Sequence, residues 1–372
     1  MNRKRSGQTV DEGTPPSTEV RPTVSVVLLT WNGREYIDDC LRSLSDQDFD
    51  RTFEVVVVDN GSTDGTAKLA EAYQGVAVHR LDRNYGYCAG NNIGFGFTSG
   101  RYVVFLNQDV VLHRAWLREL VAALESDPRI QAAHANIIQP WYPEFAELET
   151  RAPITAAYTA DICPLGFVRY SKINPTPPVQ DTMFLHGVSI IVRREMIDQL
   201  GYAFDPDMFS HGEDLDLALR VRAAGFRTVV ATRATLYHKH TLDAKLSMYA
   251  FRKTVRTIRN RLIAFWKCST VPEFIPIAAA VLIGAPLNAG EFGLPPLRRV
   301  LFFFLLLPPT VASLAAMLAS MPRYAARRRQ ILATRRVERW WFVRSLFFNR
   351  RHLGTVATAH FHSPATRTSR AV

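Results

Sequence analysis

Apolar residues arrive in this chain in short, mostly β-branched bursts that end on polar loops, and between the bursts they fall back to helical spacing. From Val24 to Leu29 almost every side chain is apolar, as in a strand covered on both faces, and polar positions resume at Thr30, Trp31 and Asn32. Ile37, Cys40, Leu41 and Leu44 then share one helical face, leaving Arg34, Asp38, Asp39 and Arg42 on the other. The unit repeats. Phe53 to Val58 reads as a second buried strand, ends in Asp59-Asn60-Gly61-Ser62-Thr63-Asp64-Gly65 and passes into a helix from Thr66 to Tyr73. Further strands are predicted over Val76 to Leu81 and over Tyr102 to Leu106, the latter stopping at Asn107-Gln108-Asp109. A helix near Arg114 to Leu124 and an apolar run from Ile130 to Ile138 follow. This alternation predicts an α/β fold around a mostly parallel sheet, with right-handed crossovers and ligands bound beyond the carboxyl ends of the strands.

Pro140 to Gln180 is rich in proline and aromatics and too long for a tight turn; it reads equally as an ordered substrate-facing excursion or as a surface insertion. Regular structure resumes with Phe184 to Val192, helices near Arg194 to Leu200 and Glu213 to Ala224, and a strand over Arg227 to Ala231. Beyond Lys239 the composition changes. Tyr249 to Lys267 looks like a basic helix, and two apolar segments follow, Phe274 to Ala289 and Val300 to Ala319, the second interrupted by Pro308-Pro309. Neither is a clean bilayer span, so a re-entrant or interfacial hairpin is expected, or core helices of a soluble region. Arg323, Arg327, Arg328, Arg329, Arg335 and Arg336 crowd the stretch after it and are expected to meet anionic lipid. The division expected is a polar tail over 1–22, a nucleotide-type domain over 23–245, a helical membrane-associated region over 246–352 and a tail over 353–372.

At 372 residues with 47% hydrophobic content the chain can bury a real core, and its formal charge of +11 draws polyanions. Because the arginines cluster beside apolar segments and not among base-stacking aromatics, a nucleic-acid partner is not expected. The four cysteines have no paired spacing, so neither a zinc site nor a disulfide framework is suggested. The amino-terminal residues lack the apolar run of a signal peptide, and a reducing, cytoplasmic setting is expected.

The residues able to do chemistry sit in the predicted loops. Asp109, after a buried strand, offers a hard oxygen to magnesium or manganese, although a lone Asp there is more often a turn residue. Glu213, Asp214 and Asp216 open a helix, where capping is the ordinary role for acidic groups. His238 and His240 follow the next strand and can reach the same sheet edge, and Asp59 opens a glycine-containing loop.

Taken in order, VSVVLLTWNG, VVVVDNGSTDGT, NYGYCAGNNIG, YVVFLNQDV and FSHGEDLDLALR resemble the family 2 glycosyltransferases over about residues 22 to 240, and most closely their rhamnosyltransferase-like branch. The resemblance implies the GT-A type nucleotide-sugar-binding fold and an inverting transfer from a nucleotide diphosphate sugar, dTDP-rhamnose first and a UDP-sugar second, to a glycan or polyprenyl-linked acceptor, which the apolar segments and the arginines after them lead one to expect at the cytoplasmic face of the membrane. It implies that Thr30, Trp31, Asn32 and Asp59 hold the nucleotide, that Arg83, Asn84 and Asn91 line the donor site, and that Asn107-Gln108-Asp109 stands where the family has its metal-binding DxD motif. Asp109 and His238 would then hold Mg2+ or Mn2+, Asp214 would be the catalytic base, and Glu213, His186 and Gly187 would lie on the acceptor side. Asn107 and Gln108 depart from the motif by replacing acidic residues, which makes the cation more dependent on the donor diphosphate. A sugar nucleotidyltransferase would need a longer glycine-rich phosphate loop than TWNGREY, and a processive synthase a Gln-x-x-Arg-Trp block ahead of its membrane helices, whereas Arg339-Trp340 comes after the apolar segments. A membrane-tethered nucleotide-sugar-binding protein without catalysis is the reading from another class.

Overall fold

A computed structural model describes residues 21–138, 157–162, 168–239, 248–287 and 296–347. The two predicted tails (from residue 21 on the first is described), His240, most of the Pro140 to Gln180 stretch and residues 288–295 between the two apolar segments lie outside the described residues.

Strands β1 (Val24–Thr30), β2 (Phe53–Asp59), β3 (Val76–Arg80) and β4 (Tyr102–Asn107) form a parallel half-sheet in the order β3-β2-β1-β4. Successive side chains leave a strand on opposite faces, and the chain uses both. Val27, Val56, Val58, Val103 and Phe105 enter one core, while Val26, Leu28, Val55, Val57, Val104 and Leu106 enter the other. Helices α1 (Ile37–Ser45) and α4 (Trp116–Glu125) cover the second face with Cys40, Leu41, Leu44, Trp116, Leu120 and Leu124. The first face takes α3 (Gly86–Gly96), which carries four of its residues as glycine and was not expected as a helix. Its glycines trade helix propensity for close approach: a Cβ on Gly90 would stand 2.6 Å from Leu29 Cδ1, and one on Gly94 2.5 Å from Val27 Cγ1. A short α2 (Thr66–Ala70) links β2 to β3.

The other half of the sheet corrects the expectation of a mostly parallel one. Strand β10 (Ser189–Arg193) runs antiparallel to both β4 and β6 (Ile130–Ile138), and β11 (Arg227–His238) is parallel to β6 but antiparallel to β5 (Val110–Leu112) and β9 (Val179–Asp181). A fully buried strand carries the same apolar run whichever way it points, so the pattern could not reveal the reversal. Between Pro140 and Gln180, β7 (Ala157–Ile162) and β8 (Val168–Ile173) pair as a separate antiparallel ribbon.

The carboxyl-terminal helices share the first core. Helices α5 (Arg194–Leu200) and α6 (Glu213–Ala223) meet α7 (Met248–Cys268), α8 (Val271–Leu287), α9 (Pro296–Ala333) and α10 (Trp341–Phe347) through Leu215, Leu219, Leu262, Phe265, Ile277, Met317, Tyr324 and Phe342. Pro308, Pro309 and Pro322 do not break α9, which continues through all of them against α7 and α8, where packing outweighs the missing donors. Under the core lies a buried ion network: Lys267 Nζ is 2.6 Å from Asp205 Oδ2 and 2.7 Å from Asp216 Oδ1, Arg220 Nε is 2.8 Å from Asp216 Oδ2, and Arg327 Nη1 is 2.7 Å from Asp205 Oδ1. Several arginines expected to face lipid therefore turn inward. Arg327 serves this network, Arg328 donates to the carbonyls of Trp266 and Ser269, and Arg335 pairs with Glu273. Among the described residues no helix is long and apolar enough to cross a membrane.

Candidate active site

Three strands end side by side at one edge of the sheet. Thr30 of β1 stands in register with Asp59 of β2, and Leu29 with Asn107 of β4, so the loops after these strands converge. Asn32, in left-handed backbone at φ 46°, ties the first loop to the second: its N–H donates to Ser62 Oγ at 2.9 Å and its Oδ1 accepts from the Thr63 N–H at 2.9 Å. Gln108 ties the third to the first. Its Oε1 accepts from the Trp31 N–H at 3.0 Å and from the Thr30 hydroxyl, while its Nε2 donates to the Trp31 carbonyl at 3.1 Å. Gln108 thus braces the loop, over a Gly33 whose Cβ would lie 1.9 Å from its Oε1.

Asp59 is 3% exposed; its Oδ2 accepts from the Ser62 N–H at 3.3 Å, and its Oδ1 is buried with no hydrogen-bond partner. An orphaned buried acceptor costs on the order of 1–3 kcal/mol, so it marks a place for a ligand N–H. Trp31, 50% exposed, stands on the adjoining loop. Asn60, which the sequence reading passed over, joins this loop to the next: its Nδ2 donates to Asn84 Oδ1 at 3.1 Å and its Oδ1 accepts from the Tyr85 N–H at 2.9 Å. Asn84 Oδ1 also accepts from the Gly86 N–H at 2.8 Å, and Arg83 lies over the Tyr85 ring, 4.7 Å from its centroid. Asn91 is buried on α3, its Nδ2 held by the Tyr87 carbonyl and its Oδ1 without a partner.

A second group forms where β5 runs against the end of β11. Their pairing sets Val110 opposite His238, which brings Asp109 Oδ2 to 3.1 Å from His238 Nε2. The Lys239 N–H holds the Asp109 carbonyl at 2.8 Å, and the Lys239 ammonium pairs with Asp39 of α1. No group of three His, Cys, Asp or Glu side chains able to hold a metal occurs among the described residues. The Asp109 and His238 pair still suits a cation: ligands about 2.1 Å from a metal in adjacent octahedral positions stand about 3 Å apart. The remaining positions would fall to water and a diphosphate.

The third group is built at the start of α6. The Asn107 N–H donates to the Val188 carbonyl at 3.0 Å, which docks residues 186–188 beside the end of β4. A Cβ on Gly187 would lie 3.5 Å from Asp214 Oδ2 and 3.6 Å from Glu213 Oε1, ordinary contact distances that set the Gly187 backbone directly beside both carboxyls. Tyr87, also unforeseen, donates its hydroxyl to the Gly187 carbonyl at 2.6 Å. His186 turns back on its own loop, its Nδ1 accepting from the Val188 N–H at 3.4 Å. Burial, with the Asp214 charge beside it, raises the Glu213 carboxyl well above its usual range. Burial also pushes Asp214 up to about 6, against the Leu215 N–H at 2.8 Å, the Arg261 charge and the Gly187 backbone, which favour the anion. The result is a Glu213 shifted toward its neutral form beside an Asp214 that, at about 6, is poised to accept a proton near neutral pH.

The model of the family described as glycosyl transferase family 2 matches residues 25–201. This stretch is a family 2 glycosyltransferase domain. It holds the Asp59 and Asn107 loops; Asp214 and His238 lie beyond the match, and their place beside it rests on the geometry above. Glycosyltransferase AglE of Haloferax volcanii is 26% identical over 219 residues, 58% of this chain and 66% of that protein. The poly(ribitol-phosphate) β-N-acetylglucosaminyltransferase TarS of Staphylococcus aureus is 35% identical over 106 residues, 27% of this chain and 18% of its own length. In both cases the match spans less than two thirds of the relative. Among solved structures, the mannosyltransferase PcManGT of Pyrobaculum calidifontis, in complex with GDP-Man and Mn2+, superposes with a TM-score of 0.51 at 20% identity over 85% of this chain and 84% of that one. That likeness establishes a GT-A-like α/β fold with a mixed sheet for the glycosyltransferase domain described here.

Proposed function

We propose that this glycosyltransferase moves a sugar from a nucleotide diphosphate donor, with inversion, to a glycan or lipid-linked acceptor in cell-surface polysaccharide synthesis. The observation that carries the reading is the meeting, along one sheet edge, of the Asp59 pocket, the Asp109 and His238 pair and the Glu213-Asp214 carboxyls. Asp59 Oδ1 accepts a ring N–H of the base, a need met by uracil, thymine or guanine, and Trp31 offers a face to stack on. Asp109 and His238 hold Mg2+ or Mn2+, which when bound takes up charge on the departing diphosphate. Asp214 accepts the proton of the acceptor hydroxyl, whose oxygen bonds to the anomeric carbon as the bond to the diphosphate breaks. A dTDP-rhamnose or UDP-sugar donor is the reading from the sequence blocks, while GDP-Man in PcManGT adds a third candidate.

We infer that the acceptor is met at the cytoplasmic face of the membrane. Supporting this, Pro272, Ile275, Ala279 and Ile283 make the exposed face of α8 apolar, and Leu307, Val311, Ala315 and Leu318 do the same for α9. Faces of this kind suit an interfacial position, with Arg323, Arg329 and Arg336 exposed toward anionic lipid.

The test is a panel of UDP-GlcNAc, UDP-glucose, UDP-galactose, GDP-mannose and dTDP-rhamnose, with Mn2+ or Mg2+, followed by release of the nucleoside diphosphate. Turnover that disappears in Asp214→Asn supports the enzyme. A donor bound but never turned over by the wild type points to a membrane-tethered binding protein instead.

A further inference from the structure

The four residues ahead of Glu213 form a loop that the chain would not adopt by itself. Phe209, His211 and Gly212 all take positive φ, at 60°, 67° and 100°, and for the first two a Cβ makes that backbone costly. Such a loop persists only where its surroundings hold it. Its inner end is fixed, since the Gly212 carbonyl accepts from the Asp216 N–H at 3.0 Å as α6 begins. Its outer side leans on the donor loops. The Phe209 carbonyl accepts from the Cys88 N–H at 3.1 Å, and a Cβ on Gly86 would lie 2.5 Å from Phe209 Cδ2.

What clamps the loop comes from α7, nearly 50 residues further along. The fully buried Asn260 turns its Nδ2 toward three carbonyls, of Met208 at 3.0 Å, Ser210 at 3.1 Å and His211 at 2.7 Å, while its Oδ1 is fixed by Arg259 at 2.6 Å and 3.0 Å. Gly212 packs so tightly on it that a Cβ there would lie 2.8 Å from Asn260 Cβ. One turn earlier, Arg256 donates to Ser210 Oγ at 3.1 Å and lies over the Phe209 ring, 4.9 Å from its centroid.

We propose that Asn260 is a positioning residue for sugar transfer: by gathering three carbonyls of the 208–212 loop it fixes where Asp214 stands relative to the donor loops. It touches no reacting atom, and the inference rests on the reading of Asp214 as the base. The carboxyl-terminal helices are on this account part of the catalytic machinery and not only an anchor.

Asn260→Asp is the sharp test, because it keeps the volume but sets a carboxylate against three carbonyl oxygens and removes every donor. With the donor that the panel above identifies, kcat should fall by about 10- to 100-fold, the scale of a misplaced catalytic group, while the donor KM stays within about twofold. Hydrogen exchange should quicken in peptides covering 208–216 and stay unchanged in those covering β2, 53–59. Asn260→Ala should be impaired less than Asn260→Asp, since it leaves no repelling charge. Arg256→Gln, the milder variant should both of these fold poorly, should lose a smaller part of kcat. Unchanged kcat in folded Asn260→Asp, or a loss confined to donor KM, overturns the proposal; so does unaltered exchange at 208–216. If Asp214→Asn keeps full turnover, it is the assignment of the base that fails; if Asp214→Asn is inactive and Asn260→Asp is not, only the role of Asn260 fails.

Discussion

Replacing Lys267 by Met asks how firmly the carboxyl-terminal helices belong to the domain. The ammonium is fully buried and shared between Asp205 and Asp216, whose other oxygens meet Arg327 and Arg220. Burial alone would lower the Lys267 pKa, but the Asp216 and Asp205 charges outweigh it and hold the pKa above its ordinary value. Asp205 is displaced the other way: burial opposes its charge, and Lys267 and Arg327 more than compensate, keeping its pKa below the usual carboxylate range. The lysine's contribution is then present below its unfolded pKa and lost only as the solution turns strongly alkaline. The aspartate's is present above its unfolded pKa and lost only in acid, so the network works across the neutral range. Lys267→Met leaves two buried carboxylates with one arginine each. Breaking a buried pair costs about 3–5 kcal/mol, and with the arginines remaining the lower end, ~3 kcal/mol, is expected. At about 2 °C per kcal/mol for a large domain, the melting temperature should fall by ~6 °C at pH 7. Differential scanning calorimetry measures it. Adding Asp216→Asn to Lys267→Met should deepen the loss, since it leaves the buried Arg220 guanidinium without its carboxylate. A single variant within about 1 °C of wild type, or a double variant no worse than the single, would refute the reasoning.

Other outcomes follow from the site. The kcat/KM of the wild type should lose about tenfold per pH unit below the Asp214 value of about 6, because the base works only when deprotonated, and Asp214→Asn should cut kcat by at least about 100-fold with donor binding retained. Asp59→Ala should raise the donor KM, read from initial rates, with little change in kcat, since the base is held equally before and during transfer. Asp109→Ala should abolish the response to Mn2+ or Mg2+ in the release assay without lowering the melting temperature, because the carboxylate stands at a loop partly open to solvent. Ile275→Asp with Leu318→Asp should weaken cosedimentation with phosphatidylglycerol vesicles while leaving donor turnover intact; unchanged sedimentation counts against the interfacial reading of α8 and α9.

The sequence made the strands legible wherever a strand is buried on both faces. Val24–Thr30 and Phe53–Asp59 fall where the apolar runs place them, because no surface helix carries such an unbroken β-branched stretch, and Ile130–Ile138 lies where its isoleucines and alanines mark a buried segment. It made legible where chemistry would collect, since polar groups following such strands can only stand at the sheet edge. What stayed hidden depends on contacts distant in sequence. Gly86–Gly96 is a helix because its glycines fit beneath Val27 and Leu29, a reason absent from its own composition. β11 was expected to stop at Ala231, but its ladder with β6 slips between Ala231 and Thr235 and runs on to His238. The continuation past that slip, paired with β5, sets His238 opposite Val110 and so beside Asp109.

The same limit explains why α7 looked only like a basic helix. Arg252, Lys253, Arg256, Arg259 and Arg261 dominate its first turns, and in a pattern of charges Asn260 is one more polar residue. Its meaning appears only when the Phe209 to Gly212 loop, with its positive φ values, is laid against it. Sequence blocks locate the groups that meet a ligand because those groups follow local rules of strand and loop. The groups that hold them in place follow from which helix packs where, and here that helix lies outside the 25–201 family match. Full-length Asn260→Asp should for this reason lose transfer even in detergent micelles with a soluble acceptor, where an anchor would have nothing to contribute.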